Sequence, residues 1–359
     1  GCTGNEHVMN EIRCDPLSGH RVLIAEGRSA RPHDYKTSHV VGSRSVCPFC
    51  AGNERETPEE VLRAGDTGRW QVRVVRNKYP ALSLSRQADP DMAPLSQTSL
   101  SLAEEVPTVS SEGIHEVIIE SPDHHVRTTE LGVAHLTIVL QTTKKRLGQI
   151  REFPTLQSVQ VFKNVGPAGG ATIEHAHSQL IALPIVPPSL CREQTVMTGH
   201  LQRTGHCLLC DLQDRERKEG QRMIAENASF VAFCAYAGRQ PGETWILPKK
   251  HQADFIASSE SDCELLAEIL YQVLTQLDTA LEMPAYNYMI QSAPLEGDSM
   301  DHYHWRLVIL PRITIQAGFE WGSGCFINSI APERVAEAMR RQLSVENIPV
   351  KQQTPCASR

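Results

Sequence analysis

The segment Glu174-His175-Ala176-His177-Ser178-Gln179 lies between a glycine-rich run, Asn164-Val165-Gly166-Pro167-Ala168-Gly169-Gly170, and an apolar run, Leu180-Ile181-Ala182-Leu183-Pro184. Two histidines two residues apart point to the same side of an extended chain, so one ring can be held while the other attacks. Glycines leave backbone N–H groups open to an anionic phosphate. The segment therefore predicts a phosphate-handling site with a histidine nucleophile. The alternative is a histidine pair at an ordinary strand edge.

The same plan recurs at an offset of 127 residues. This offset aligns His124 with His251 and the segment 175–184 with the segment 302–311. In each half, 51 residues separate the first of these histidines from the first histidine of the pair. Agreement over such a long spacing predicts that the chain consists of two related units.

Each half also contains a Cys-x-x-Cys pair. Structural zinc takes four Cys and His ligands in tetrahedral geometry, so two thiolates and two histidines per half predict two structural zinc ions per chain. The first predicted ligand set is Cys47, Cys50, His124 and His175, in which the internal offset selects His124 over His125. The second set is Cys207, Cys210, His251 and one histidine of the His302/His304 pair, for which the internal offset favours His302.

Length, charge and cysteine usage restrict the class of protein. A chain of 359 residues is longer than a domain built around a single hydrophobic core usually is. A formal net charge of −7 argues against nucleic acid, so bound phosphate must be met by local groups such as Arg28, Arg31 and backbone amides. We find no apolar run long enough for a membrane span and no leader-like segment, and we expect a cytoplasmic protein. The odd count of 11 cysteines favours reduced, metal-binding thiols over a secreted disulfide scaffold.

Hydrophobic periodicity predicts short strands that alternate with helices. The predicted strands are Val117–Glu120, Ser158–Lys163, Gln179–Leu183, Thr244–Leu247, Tyr286–Gln291 and Arg306–Leu310. The predicted helices are Thr128–Glu152, Ser258–Leu281 and Pro332–Glu346. This order predicts an α+β protein in which each half is an antiparallel sheet covered by helices.

The two predicted domains are a catalytic N-terminal unit at 9–190 and a structural C-terminal unit at 191–348. Residues 1–8 look unlike the start of a domain, and Met9 is the expected natural start. The Ser/Pro-rich run 81–111 is predicted to be a surface loop that only the first unit contains.

Motifs along nearly the whole chain resemble those of the galactose-1-phosphate uridylyltransferase family in the histidine-triad superfamily. The matching segments are Arg28-Ser-Ala-Arg31-Pro32, Cys47-Pro-Phe-Cys50, Asn77-Lys-Tyr-Pro-Ala-Leu82, Ile119-Glu-Ser-Pro122, Phe162-Lys-Asn164, the His177 segment and Gly322-Ser-Gly-Cys325-Phe326-Ile-Asn328. In the uridylyltransferases proper the nucleophile motif usually reads His-Pro-His-Gly-Gln. This chain has alanine for the proline and serine for the glycine, which resembles the ADP-glucose-using phosphorylase branch.

The resemblance implies a fold of two tandem histidine-triad-like units and a two-step transfer of a nucleoside monophosphate. His177 attacks the α-phosphorus of a nucleotide sugar, and Gln179 donates to a phosphate oxygen. Phosphate or a hexose 1-phosphate then accepts the nucleotidyl group. The implied nucleotide contacts are Arg28, Arg31, Asn77 and Asn164, together with a closing segment that contains Gly318, Gly322, Cys325 and Phe326. The resemblance also favours His304 as the second-site ligand, and it implies a monomer or homodimer.

Other functions stay open on the sequence alone. Within the enzyme class, uridylyl transfer from UDP-glucose to galactose 1-phosphate and hydrolysis of the nucleotide are the alternatives to transfer of AMP from ADP-glucose to phosphate. Outside that class, the chain could be a non-catalytic nucleotide-binding zinc protein or a redox sensor. No thioredoxin-like pattern accompanies the cysteine pairs, which argues against the sensor.

Overall fold

The computed structural model describes residues 10–26, 47–66, 68–84, 112–295 and 301–349. Arg28 and Arg31 lie outside the described residues, as does most of the predicted surface loop at 81–111. Among the described residues, no helix has both the length and the apolar character needed to cross a membrane.

Ten strands of the described chain form one sheet in which every neighbouring pair is antiparallel. The strands from the first half are β3 (Glu60–Asp66), β4 (Arg69–Arg76), β5 (Ile114–Ile119), β6 (Ser158–Val165) and β7 (His177–Leu183). Those from the second half are β8 (Met223–Glu226), β9 (Phe230–Cys234), β10 (Thr244–Pro248), β11 (Tyr286–Gln291) and β12 (Arg306–Pro311).

The strand order is β3-β4-β5-β7-β6-β11-β12-β10-β9-β8. Each half contributes five strands in corresponding order, and the halves meet where β6 pairs with β11, with Asn164 opposite Asn287. The halves therefore share one continuous sheet instead of having a separate sheet each. The mixed α+β class with antiparallel pairing agrees with the prediction.

Two long helices, α1 (Gly132–Ile150) and α4 (Glu260–Ala280), contribute to the same apolar core as the sheet. Apolar side chains recur four residues apart, as at Leu136 and Leu140 of α1 and at Leu270 and Leu274 of α4, so each helix buries one continuous face. Ser259 caps the start of α4 by accepting a hydrogen bond from the N–H of Asp262. This core lies on one face of the sheet. On the other face, a second apolar cluster packs α2 and α3 against the strands of the second half, and the site lies on the strands of the first half.

The remaining elements are α2 (Pro188–Thr204), α3 (Leu208–Glu219), α5 (Gly318–Ser323) and α6 (Pro332–Arg341), with a small sheet of β1 (Glu11–Cys14), β2 (Arg21–Ile24) and β13 (Phe326–Asn328). Because β2 pairs with both β1 and β13, the first two strands of the described residues lie beside the last one. The predicted boundary between residues 190 and 191 falls inside α2. Helix α6 ends earlier than predicted because Gln342 adopts a left-handed conformation with φ of 51°.

Candidate active site

Strand β7 begins at the second histidine of the motif and separates its side chains between the two faces of the sheet. Leu180 lies in the helix-covered core. His177 and Gln179 face the other side, opposite Ile119 and Val117 of β5. Alternation along the strand therefore places the imidazole and the carboxamide side by side, outside the main core.

The His177 ring is buried and its tautomer is set by the backbone. Nδ1 lies 2.7 Å from the carbonyl oxygen of His175, so Nδ1 carries the proton and donates it, which leaves the lone pair on Nε2. Nε2 has no hydrogen-bond partner among the described residues. Burial lowers the pKa of His177 below its usual value, which the bond to the His175 carbonyl opposes only in part. The ring is neutral at pH 7, and Nε2 can act as a nucleophile.

Cys47, Cys50, His124 and His175 bring one possible ligand atom each within 4.8 Å of one another. Nδ1 of His175 lies 3.5 Å from Sγ of Cys47 and 3.6 Å from Sγ of Cys50, and Nδ1 of His124 lies 3.3 Å from Sγ of Cys50. A tetrahedral zinc ion separates its sulfur and nitrogen ligands by about 3.5 Å, given metal–ligand bonds of about 2.3 and 2.0 Å. The donor set and its spacing therefore fit a metal ion of this kind.

A backbone carbonyl orients the ring of His175 within this cluster. Nε2 of His175 donates to the carbonyl oxygen of Ser121 at 2.8 Å, which leaves the Nδ1 lone pair facing the cysteines. Burial lowers the pKa of His175 to about 4, so the ring is neutral and free to bind a cation. His175 and His177 are thus held by different groups, although they are only two residues apart.

A second cluster of the same composition forms from Cys207, Cys210, His251 and His304. Nδ1 of His304 lies 3.4 Å from Sγ of Cys210, and its Nε2 donates to the carbonyl oxygen of Pro248 at 2.9 Å. Pro248 follows Ser121 by 127 residues, whereas His304 follows His175 by 129. Two additional residues before β12 therefore put His304 in the cluster in place of His302, contrary to the internal offset.

The position two residues after the clustered histidine differs between the halves. In the first half it is His177, and in the second it is Arg306, which is 4% exposed. The Arg306 guanidinium pairs with Glu193 of α2 at 2.7 Å and lies over the Trp245 ring. The second half therefore has a buried ion pair where the first half has an imidazole.

The glycine-rich loop after β6 is folded back on itself. Gly166 and Gly170 have φ of 76° and 85°, which favours glycine. The N–H groups of Gly169 and Gly170 donate to Gly166 and Pro167 within the loop. A Cβ at Gly169 would lie 2.9 Å from the carbonyl oxygen of Tyr286 in β11. These glycines are thus explained by the turn and by its close approach to β11, a packing contact that the sequence did not reveal.

Asn77 and Asn164, the two asparagines predicted to contact nucleotide, have different hydrogen-bond partners. Nδ2 of Asn77 donates to Oε1 of Gln179 at 3.4 Å. Oδ1 of Asn164 accepts from Nδ2 of Asn287 at 2.7 Å. Sequence reasoning missed Asn287, because its importance depends on the pairing of β6 with β11. A cavity of about 250 Å³ is lined by residues that include Asn164, Gly166, Glu174 and His177.

The predicted closing segment lies by the small sheet. Gly318 and Gly322 are exposed in α5, and Cys325 precedes β13. The Phe326 ring packs against His20 at 5.2 Å. Within the described ranges, no hydrogen bond or ring contact joins this segment to His177.

Comparisons with known proteins agree with this geometry. Residues 3–187 match the sequence profile described as galactose-1-phosphate uridyl transferase, N-terminal domain, and residues 112–350 match a domain of unknown function, DUF4921. The ADP-glucose phosphorylase of Arabidopsis thaliana is 35% identical over 93% of both chains. A galactose-1-phosphate uridylyltransferase of Thermotoga maritima is 24% identical over 92% of this chain and 98% of its own.

Solved structures give the same result. The crystal structure of the Arabidopsis thaliana ADP-glucose phosphorylase with bound ADP-glucose superposes with a TM-score of 0.78 and 34% identity, covering 92% of this chain and 98% of that one. A uridylyltransferase structure superposes with a TM-score of 0.68 and 25% identity, covering 93% and 98%. The protein is an enzyme of the nucleotidyltransferase class. It belongs to the galactose-1-phosphate uridyl transferase family.

Proposed function

We propose that this protein transfers AMP from ADP-glucose to inorganic phosphate, giving ADP and glucose 1-phosphate. The observation that carries the proposal is the neutral, buried His177 with the lone pair on Nε2, next to the carboxamide of Gln179. The ADP-glucose phosphorylase among the relatives supports the choice of nucleotide and acceptor.

The reaction proceeds in two steps with one covalent intermediate. Nε2 of His177 attacks the α-phosphorus of ADP-glucose, an N–P bond forms, and the bond to the glucose 1-phosphate oxygen breaks. An oxygen of inorganic phosphate then attacks the same phosphorus, which forms ADP and returns the electron pair to Nε2. Gln179 donates to a non-bridging oxygen during both steps, where negative charge develops. Glucose 1-phosphate leaves as a stable anion, so no separate general acid is required.

The remaining predicted residues hold the substrate in this proposal. Asn164 and Gly166 line the cavity beside His177 and contact the phosphates, and Gly169 and Gly170 shape the turn that holds them there. Asn77, the residue after β4, supports Gln179. Nucleotide contacts by Arg28, Arg31, Gly318, Gly322, Cys325 and Phe326 stay predictions from the family resemblance.

We further propose a structural zinc ion at each cluster, held by Cys47, Cys50, His124 and His175 and by Cys207, Cys210, His251 and His304. The tetrahedral spacing and the reduced thiols support this assignment. When bound, the metal supplies a rigid anchor for its ligands and takes no part in the transfer. In the first half, the anchored His175 carries the carbonyl that orients His177, so the nucleophile is preorganised.

In this proposal the chain consists of two histidine-triad-like units, at about 9–190 and 191–348, and only the first one transfers AMP. The corresponding strand orders and the duplicated clusters support the duplication. The buried pair of Arg306 with Glu193 supports a structural role for the second unit. Free cysteine thiols support a cytoplasmic location, and the enzyme works as a monomer or homodimer.

A panel of labelled nucleotide sugars tests the function. ADP-glucose with label in the α-phosphate is expected to label the protein on His177, and phosphate is expected to release the label as ADP. UDP-glucose with galactose 1-phosphate is the competing pair. A tenfold preference for this pair, about 1.4 kcal/mol of transition-state binding, would assign uridylyl transfer instead. Nucleotide binding without any label on the protein would indicate a non-catalytic protein, and release of free AMP would indicate a hydrolase.

A further inference from the structure

The carboxamide oxygen of Gln179 faces two donors, one on the neighbouring strand β5 and one just after the end of β4. Oε1 lies 2.9 Å from Nε2 of His115 and 3.4 Å from Nδ2 of Asn77. In the pairing of β5 with β7, Val117 is opposite Gln179 and His115 is opposite Ile181, so His115 is the diagonal neighbour of Gln179 on the same face. The His115 contact therefore results from the strand register, whereas Asn77 follows the end of β4 and is held beside His115 by its own N–H, which donates to the His115 carbonyl oxygen.

Two backbone N–H groups determine which atoms of these neighbours are donors. The N–H of Ala81 donates to Nδ1 of His115 at 3.0 Å, so the proton of the neutral ring is on Nε2, which donates to Gln179. The N–H of Tyr79 donates to Oδ1 of Asn77 at 2.8 Å, which turns the amide nitrogen of Asn77 towards Gln179. This nitrogen also lies 3.0 Å from Nε2 of His115, and because Nε2 carries the ring proton, both nitrogens direct an N–H group at Oε1 of Gln179. The oxygen of Gln179 is thus held in place, and its own amide nitrogen points away from both donors.

Asn164 is oriented in the same way by a residue from the second half. Nδ2 of Asn287 donates to Oδ1 of Asn164 and to the carbonyl oxygen of Gly169, each at 2.7 Å. Two acceptors on one amide nitrogen fix the orientation of Asn287 itself. The nitrogen of Asn164 is turned towards Gly170, where a Cβ would lie 3.8 Å from it.

Both oriented amides lie on the face of His177. Phe162 of β6 pairs with Gln179, so Asn164, two residues after Phe162, is on the same side as His177. Neither Nε2 of Gln179 nor Nδ2 of Asn164 has a hydrogen-bond partner among the residues that the structure describes. Two free N–H₂ groups next to the imidazole suit the oxygens of a phosphate.

We propose that His115 and Asn287 are positioning residues that hold Gln179 and Asn164 with their N–H₂ groups towards the nucleotide phosphate at His177. The inference rests on the proposed function and deepens it. A carboxamide has nearly the same shape after a half-turn, so packing alone does not distinguish its two ends. Without a fixed donor at the oxygen, the flipped form would present that oxygen to an anionic phosphate and repel it.

A pair of variants of equal size tests the role of His115. His115→Gln keeps an amide nitrogen that can donate to Gln179, whereas His115→Glu offers only acceptors and attracts the nitrogen of Gln179 instead. We expect His115→Gln to label His177 within a few-fold of the wild-type rate in a single turnover. His115→Glu is expected to be slower by about a hundredfold, the size of the loss of one transition-state donor. Equal rates in the two variants would overturn the inference.

The same logic applies to Asn287, which also serves if a His115 variant does not fold. Asn287→Asp has the same shape but no donor, and Asn287→Ala removes the group altogether. We expect Asn287→Asp to be the slower of the two, because its carboxylate turns the nitrogen of Asn164 away from the phosphate. A simple packing role predicts the reverse order, since alanine leaves the larger gap.

A double-mutant cycle separates positioning from direct repulsion by the new carboxylate. In a Gln179→Ala background, His115→Gln and His115→Glu are expected to label at the same rate, because no carboxamide is left to turn. If the full difference persisted, the carboxylate would act directly on the phosphate, and the inference would be wrong.

ADP binding, measured by calorimetry, distinguishes failure of this inference from failure of the proposed function. Absence of label on the wild-type protein would reject the function. The positioning role would then be judged by the Kd of ADP alone. This Kd is expected to be at least several-fold higher for His115→Glu than for His115→Gln. Equal Kd values would reject it. A labelled wild type with equal rates in both variants would reject the positioning role and leave the function standing.

Discussion

At the scale of single residues, we expect His177→Ala to abolish labelling of the protein and to leave nucleotide binding largely in place. The replacement removes the only group proposed to form a bond to phosphorus, while the cavity and its other polar groups stay. Gln179→Ala is expected to slow both steps by about a hundredfold. Rapid-quench labelling with calorimetry of ADP binding measures both effects. His304→Ala is the matched control, and a block of labelling by that variant alone would put the active site in the wrong half.

Glu193→Ala is expected to destabilise the protein by about 3–5 kcal/mol, because it leaves the buried guanidinium of Arg306 without its partner. The change in urea unfolding gives the measurement. Glu59→Ala is the control, because Glu59 and its partner Arg76 are 70% and 58% exposed and a surface pair contributes at most about 1 kcal/mol. Equal effects of the two variants would show that Arg306 finds water or another partner in the absence of Glu193.

Which residues could be predicted from sequence depends on how local their chemistry is. His177 and the four-ligand clusters carry their signal in short motifs and in one repeated spacing. His115 and Asn287 have no such signal, because each is defined by the residue opposite it on another strand. The internal offset selects His302, whereas His304 lies in the cluster, for a related reason. Two additional residues before β12 change the register, and the motif itself does not reveal them.

At the scale of elements, each cluster joins a Cys-x-x-Cys pair, in a turn in the first half and at the start of α3 in the second, to a histidine two residues before β7 or β12 begins. We expect the purified protein to contain about two zinc ions per chain by metal analysis. Cys47→Ser and Cys207→Ser are expected to lower metal content and the unfolding midpoint, because metal binding to a closed site contributes directly to folding.

Cys14→Ser provides the control for these replacements, because Cys14 is exposed and belongs to neither cluster. An equal loss of stability in that variant would point to a general effect of cysteine replacement. A protein without stoichiometric zinc, with its clustered cysteines oxidised to disulfides, would contradict both the metal sites and the cytoplasmic location.

The helices and strands predicted from periodicity are present in the structure, and β11 has the predicted bounds, Tyr286–Gln291. Their joining into one sheet could not be predicted. The alternation along β6 is the same whether its neighbour belongs to its own half or to the other, so the pattern carries no information about the partner strand. The glycines at 166 and 169 were similarly ambiguous, because a close approach to β11 requires the same residue type as an approach to phosphate.

At the scale of the whole molecule, one sheet and one main core extend through both halves. We therefore expect a single cooperative unfolding transition in urea, with the same midpoint by circular dichroism and by tryptophan fluorescence. Trp70 reports on the first half, and Trp245 and Trp305 report on the second. A Trp70→Phe variant lets the second half be followed alone. Two separate midpoints would contradict the prediction and would indicate halves that fold independently.

The join of β6 with β11 also limits how far this enzyme could be reduced in size. Asn164 belongs to the half proposed to transfer AMP, yet Asn287, whose amide donates to it, comes from the other half, as does the strand that the glycine turn approaches. A minimal enzyme built from the first half alone would expose a bare hydrogen-bonding edge and lose that amide. The second half is therefore needed for the structure of the first, whether or not it has any chemistry of its own.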